Sequence, residues 1–166
     1  MDTTPSENEK NIAALVHLST FSKFFFPFAN FFAPLLLWTF NKDKEFVNEH
    51  GRQAVNFQLS ILLYTLIIGI ICLPFFVFFA SDFVSLVDAI DHNVHRVSVY
   101  DANNLSGFVI LLSIAAILMF GVFVFELYAV ITATVHASKG KLYKYPLSIP
   151  FLKTTIKNQS ENEHAN

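Results

Sequence analysis

The sequence predicts an all-α integral membrane protein. The expected form is a four-helix bundle: a short, Pro-broken N-terminal hairpin plus two long transmembrane helices, with an amphipathic helix on the membrane surface in the outer loop between them. Three observations carry that expectation. Of 166 residues, 54% are hydrophobic and only 14% are charged. Those charges sit in the termini and two connecting segments instead of recurring along helix faces, so polarity is zoned by depth. The stretch Leu59–Ala80 carries no charge and, at ~1.5 Å per residue, is long enough to cross a hydrocarbon core of roughly 30 Å. A net charge of -2 gives no ground for nucleic-acid binding. The single cysteine, Cys72, lies inside the apolar run and has no partner for a disulfide or a CxxC pair. The acidic start Met1–Glu9 is unlike a secretory signal, so the first apolar segment is expected to stay in the mature chain.

Residues 1–6 are expected to be flexible. Ser6 and Glu9 have the spacing of a capping box, which starts a helix at Glu7. The apolar segment Ile12–Phe40 would exceed about 40 Å as one helix, and Lys23, Pro27, Asn30 and Pro34 interrupt it. Pro27 removes a helix hydrogen bond, and Phe28-Ala29-Asn30 offers a place to turn. Two short helices, about 7–26 and 29–40, are therefore expected to enter and return on one face; the alternative is one kinked span over Phe24–Phe40. Asn41–Glu45 is a solvated connector, and Asn48 a good N-cap for a third helix over about 49–80, kinked at Pro74. The outer loop 81–104 repeats Phe83, Leu86, Val87, Ile90, Val94 and Val97 at helical spacing, which predicts the surface helix. A fourth helix is expected over about 105–136, with Gly140 as a stop, then a basic segment 137–157 and a disordered tail 158–166.

Lysine and arginine set the orientation. Lys42, Lys44 and Arg52 mark one connector and Lys139, Lys141, Lys144, Lys153 and Lys157 the C-terminal segment, against Arg96 alone in the outer loop. The positive-inside rule then puts both termini in the cytoplasm and residues 81–104 outside a bacterial inner membrane.

Four groups of residues are candidates for chemistry. His17, His50, Arg52, Asn56 and Gln58 form a polar cluster at the membrane interface, read as support for the broken hairpin backbone or as a small polar binding site. Glu126 lies in the last apolar segment, where an ionised side chain costs roughly 2.5–3.5 kcal/mol, so it needs a partner such as Lys23, His17, Asn56 or Gln58. It is read as an ion pair or as a proton relay. Lys139, Lys141, Tyr143, Lys144 and Tyr145 are expected to anchor the chain to anionic lipid headgroups. Asp88, Asp91, His92 and His95 share one face of the outer helix, either as its solvated face or as ligands for a divalent ion. No cofactor is implied, and no nucleophile–histidine–acid set, P-loop, GxGxxG or zinc-protease motif is present.

Three stretches carry a family resemblance. They are His17-Leu18-Ser19 with Phe26-Pro27-Phe28-Ala29-Asn30 and Ala33–Trp38; Glu49-His50-Gly51-Arg52-Gln53-Ala54-Val55-Asn56-Phe57-Gln58; and Lys139–Phe151. In these the chain resembles a small bacterial membrane family of unknown function, itself similar to the Tic-twenty subunit of a chloroplast protein translocon. The resemblance implies four helices, both termini on one face and no enzyme activity. It extends neither to residues 81–104 nor to Glu126. The expected function is that of a non-enzymatic accessory or scaffold subunit, with lipids and another membrane protein or a second copy as partners. A small oligomeric channel or transporter using Glu126 is the alternative, and a metal-binding or sensing outer helix the third.

Overall fold

In the computed structural model, residues 4–91 and 99–154 are described, with most side chains between 79 and 108 outside that description. Those residues form helices, turns and an irregular segment over 141–154, with no strand among them. Helix α1 spans Glu7–Leu18 and continues as a 3-10 turn over Ser19–Phe24; α2 spans Ala29–Thr39, α3 Glu45–Asp91 and α4 Val99–Ser138. The chain forms two compact units, residues 1–62 with 124–166 (unit 1) and residues 63–123 (unit 2). Within α3 and α4, Glu45–Phe78 and Val109–Ser138 are each long and apolar enough to cross a membrane.

The local starts and stops follow from the sequence. Ser6 and Glu9 form the capping box: Ser6 N–H donates to Glu9 Oε2 at 2.7 Å, and Glu9 N–H to Ser6 Oγ at 3.3 Å. After Phe24 the chain reverses through Pro27 and through Phe28, which takes the left-handed conformation at φ 62°. Helix α2 then packs back against α1 and the 3-10 turn. Amides of Phe25 and Phe26 donate to the Ser22 carbonyl, Ala29 to Phe26, and Phe31 and Phe32 to Phe28. The reversal is thus held by hydrogen bonds within its own backbone. Helix α4 ends at Gly140, φ 70°, with Gly140 N–H donating to Ala137 O and Lys141 N–H to His136 O, both at 2.9 Å. That pair of bonds is a Schellman stop, for which glycine carries no Cβ penalty.

Helix α3 differs from expectation at both ends. Asn48 does not cap it: its amide already donates to Lys44 O at 2.8 Å, inside the helix, and its Oδ1 accepts from Trp38 Nε1 at 2.8 Å. At the far end α3 runs past Ala80 to Asp91, into the segment expected as a separate surface helix.

Unit 1 has a small apolar core of Val16, Val47 and Ala54 flanked by Ile12 and Leu37. It also buries His17, Thr20, Glu49, His50, Gln53, Asn56, Gln58, Ser60 and Glu126. A polar side chain out of water is costly unless it is bonded, so these groups require partners. In unit 2 no described residue is buried, and Ile70, Ile71, Phe78, Ile117 and Phe120 are among its exposed side chains.

Candidate functional site

The 3.6-residue period sorts the polar residues of α3 into stripes, each meeting a different neighbour. Glu49, Gln53, Asn56 and Ser60 share one face. There Asn56 Nδ2 donates to Leu152 O at 2.9 Å, and Leu152 N–H donates to Asn56 Oδ1 at 2.7 Å. Ile149 N–H donates to Ser60 Oγ at 2.8 Å, and Arg52 Nη1 donates to Lys153 O at 2.8 Å. Residues 141–154 are thereby strapped onto α3. Pro146 and Pro150 keep the strap out of helix, and Leu147 bends it at φ 56°. A cavity of about 130 Å³ lies where Gln53 and Asn56 face Lys144, Ser148, Pro150 and Thr154.

His50, Ala54, Phe57 and Ile61 form the second stripe. His50 Nδ1 lies 2.8 Å from His17 Nε2, and His17 Nδ1 lies 2.8 Å from the Tyr145 hydroxyl. The Tyr145 ring stacks on Phe57, with centroids 4.1 Å apart, and Phe46 meets His50 edge-on at 4.5 Å. If Tyr145 donates to His17 Nδ1, His17 Nε2–H donates to His50 Nδ1; one choice of tautomers serves both bonds and leaves the buried His50 Nε2–H without a hydrogen-bond partner among the described residues. Burial pushes the His17 imidazole well below its ordinary value and the Tyr145 phenol well above. Both are neutral at pH 7. This is a string of neutral hydrogen bonds tying α1, α3 and the strap together.

Gly51 and Gln58 form the third stripe, facing α2. A Cβ on Gly51 would lie 2.3 Å from Trp38 Cγ, so the ring packs directly on bare helix backbone. One end along, Asn30 Nδ2 donates to Gln58 Oε1 at 2.8 Å, and Gln58 Nε2 donates to Glu126 Oε1 at 3.2 Å. Lys23 Nζ donates to the other carboxylate oxygen, Glu126 Oε2. Glu126 is 3% exposed. Its charge is balanced by Lys23 and its second oxygen is occupied by an amide.

The five residues expected as one interface cluster are therefore divided among these networks: His17 with His50, Arg52 and Asn56 with the strap, and Gln58 with Glu126. Of the four partners considered for Glu126, Lys23 and Gln58 bond to it. Tyr145, expected at headgroup depth, is fully buried, because its ring fills the space between Phe57 and His17. Lys139, Lys141 and Lys144 are exposed and Tyr143 is half-buried. Asp88, Asp91, His92 and His95, the outer-helix candidates, lie outside the described residues. Among the described residues no group of three or more His, Cys, Asp or Glu is placed to hold a metal. The strap was missed from the sequence. Its signal was the polar stripe Glu49, Gln53, Asn56 and Ser60, spaced i, i+4, i+7 and i+11 along one helix face.

The residues that build these networks lie almost entirely within 8–152, and over that range the chain matches the magnetosome magnetite crystal formation protein family. The chain belongs to the MamF/MmsF family. That assignment corrects the Tic-twenty-like resemblance and the protein-transport role it suggested: the family match runs through all three stretches on which the resemblance rested. No curated protein and no solved structure matches the chain. As a MamF/MmsF member it is a membrane protein of a family involved in magnetosome formation.

Proposed function

We propose that this MamF/MmsF protein is a non-enzymatic, multi-pass scaffold of the membrane in which magnetite forms, with both termini on the cytoplasmic face and α3 and α4 crossing the bilayer. The observation that supports it most is the use made of the polar core. Asn56 spends both ends of its amide on Leu152, Gln58 both ends of its on Asn30 and Glu126, and Glu126 both oxygens on Lys23 and Gln58. Groups so fully engaged position the helices and the strap; they are not poised for a substrate. The lipid-facing length of the spans and the exposed Lys139, Lys141 and Lys144 suit contact with anionic headgroups.

Crosslinking in native membranes, followed by purification, tests the reading. A reproducible larger membrane partner is the expected result. Self-crosslinks alone would instead favour an oligomeric channel, a second reading that draws on the part-buried Lys23–Glu126 pair next to the apolar spans.

A further inference from the structure

The polar networks account for the inner side of the N-terminal hairpin and leave its tip unexplained. At the reversal stand Phe24, Phe25, Phe26, Phe28 and Phe32, all exposed, Phe25 at 92%. The reversal holds no free charge, since Lys23 beside it is paired to Glu126. Its backbone amides at Phe25, Phe26, Ala29, Phe31 and Phe32 are bonded within the turn, and Pro27 has none. A surface that is apolar and aromatic, with most of its turn amides bonded internally, suits acyl chains.

Length decides how far this tip reaches. Helix α2 has 11 residues, which is about 16 Å at ~1.5 Å per residue, against a hydrocarbon core of roughly 30 Å. It cannot cross. The opposite end of the hairpin is polar on both arms, with Glu7, Glu9 and Lys10 at the start of α1 and Asn41, Lys42, Asp43 and Lys44 after α2. Since α2 packs back on α1, both arms enter and leave by one face.

We infer that the hairpin is a one-leaflet wedge: the Phe24–Phe32 tip seats among phospholipid acyl chains to about the midplane, adding cross-section to a single leaflet. A spanning helix adds area to both leaflets equally. An inclusion confined to one leaflet favours membrane whose convex side is that leaflet, as interfacial helices favour curved surfaces. The protein therefore concentrates where the leaflet on the Asn41–Lys44 side is convex. The inference rests on the membrane placement of the chain and not on the scaffold reading.

The test uses the full chain carrying a fluorophore at its N-terminus, reconstituted in giant vesicles of phosphatidylcholine and phosphatidylglycerol, from which narrow tubes are pulled. Molecules with the connector outward, scored by quenching with an impermeant reagent, are expected to be enriched severalfold in the tube over the parent vesicle. The Phe25→Ser, Phe26→Ser double variant is expected to distribute evenly while keeping its helical circular dichroism. Equal density of the unaltered chain in tube and vesicle overturns the wedge, as does undiminished enrichment of the variant. Should the variant fail to insert, tip depth is read directly from Phe25→Cys in a Cys72→Ala background, labelled with bimane. Quenching by spin labels near the acyl-chain ends is expected, and quenching by aqueous iodide alone overturns the inference. Retention of the chain after an alkaline carbonate wash separates a failed wedge from a failed membrane placement, which would release it.

Discussion

The two units of this chain are built from the same two long helices and solve opposite problems. Among its described residues unit 1 buries nine polar or charged side chains around a modest apolar core, so much of its packing rests on directional bonds between particular partners. Unit 2 buries none of its described residues and presents apolar side chains outward, so its side chains are fixed by their solvent. The difference teaches where specificity resides. Directional bonds make unit 1 intolerant of change at single atoms, whereas a helix facing acyl chains accepts any apolar side chain of good helical propensity.

Substitutions break or sharpen this contrast, beginning with the ion pair. Glu126→Ala leaves Lys23 and Gln58 facing an apolar space, and removing one partner of a buried pair costs about 3–5 kcal/mol; denaturant titration in micelles is expected to show unit 1 largely unfolded. Next comes Gly51→Ala, which drives a methyl into the Trp38 ring and is expected to cost about 3 kcal/mol, at the upper end of overpacking effects. Asn56→Ala unbinds the strap at Leu152 and is expected to cost about 2 kcal/mol. Its signature is faster proteolysis after Gly140, with the helices intact by circular dichroism.

The contrast also depends on pH. His17 is held neutral by burial, its folded value lying below the unfolded one near 6.5. The unfolded chain then binds more protons, so stability is complete above about pH 6.5 and is lost progressively as pH falls through it. Melting temperatures measured from pH 8 down to pH 5 are expected to decline, and a His17→Gln variant to decline less steeply. The smallest effect belongs to unit 2. A Cβ at Gly69 or Gly121 meets nothing within 4 Å, so either change to alanine is expected to stabilise by about 0.5–1 kcal/mol through helix propensity, opposite in sign to Gly51→Ala.

What could be read from the sequence divides along the same line. Apolar length and charge zoning are properties of residue lists, so the two long helices, the Ser6–Glu9 start and the Gly140 stop were all legible. So was the need of Glu126 for a partner, with Lys23 and Gln58 among the candidates. The tertiary pairings were not, because an amide gives no sign of which backbone it will meet. Asn48 reads as an N-cap by local chemistry, yet Trp38 claims its side chain. Tyr145 sits among lysines and reads as a headgroup anchor, yet it completes a hydrogen-bonded string with His17 and His50. Arg52 carries a charge that counts toward topology and also donates to the strap carbonyl of Lys153. For Asn48 and Tyr145 a tertiary contact overrode a sound local rule, and for Arg52 one was added to it.

The central claim is that the buried polar core of unit 1 holds a scaffold together and does not conduct. Its most direct test is proton and cation flux through liposomes carrying the purified protein beside liposomes carrying Glu126→Gln, which keeps the side chain's size and an amide oxygen for Lys23. Flux at the level of empty liposomes for both proteins is the expected result. Flux above that level in the unaltered protein, abolished by Glu126→Gln, would contradict the scaffold and establish the Lys23–Glu126 pair as part of a conducting path.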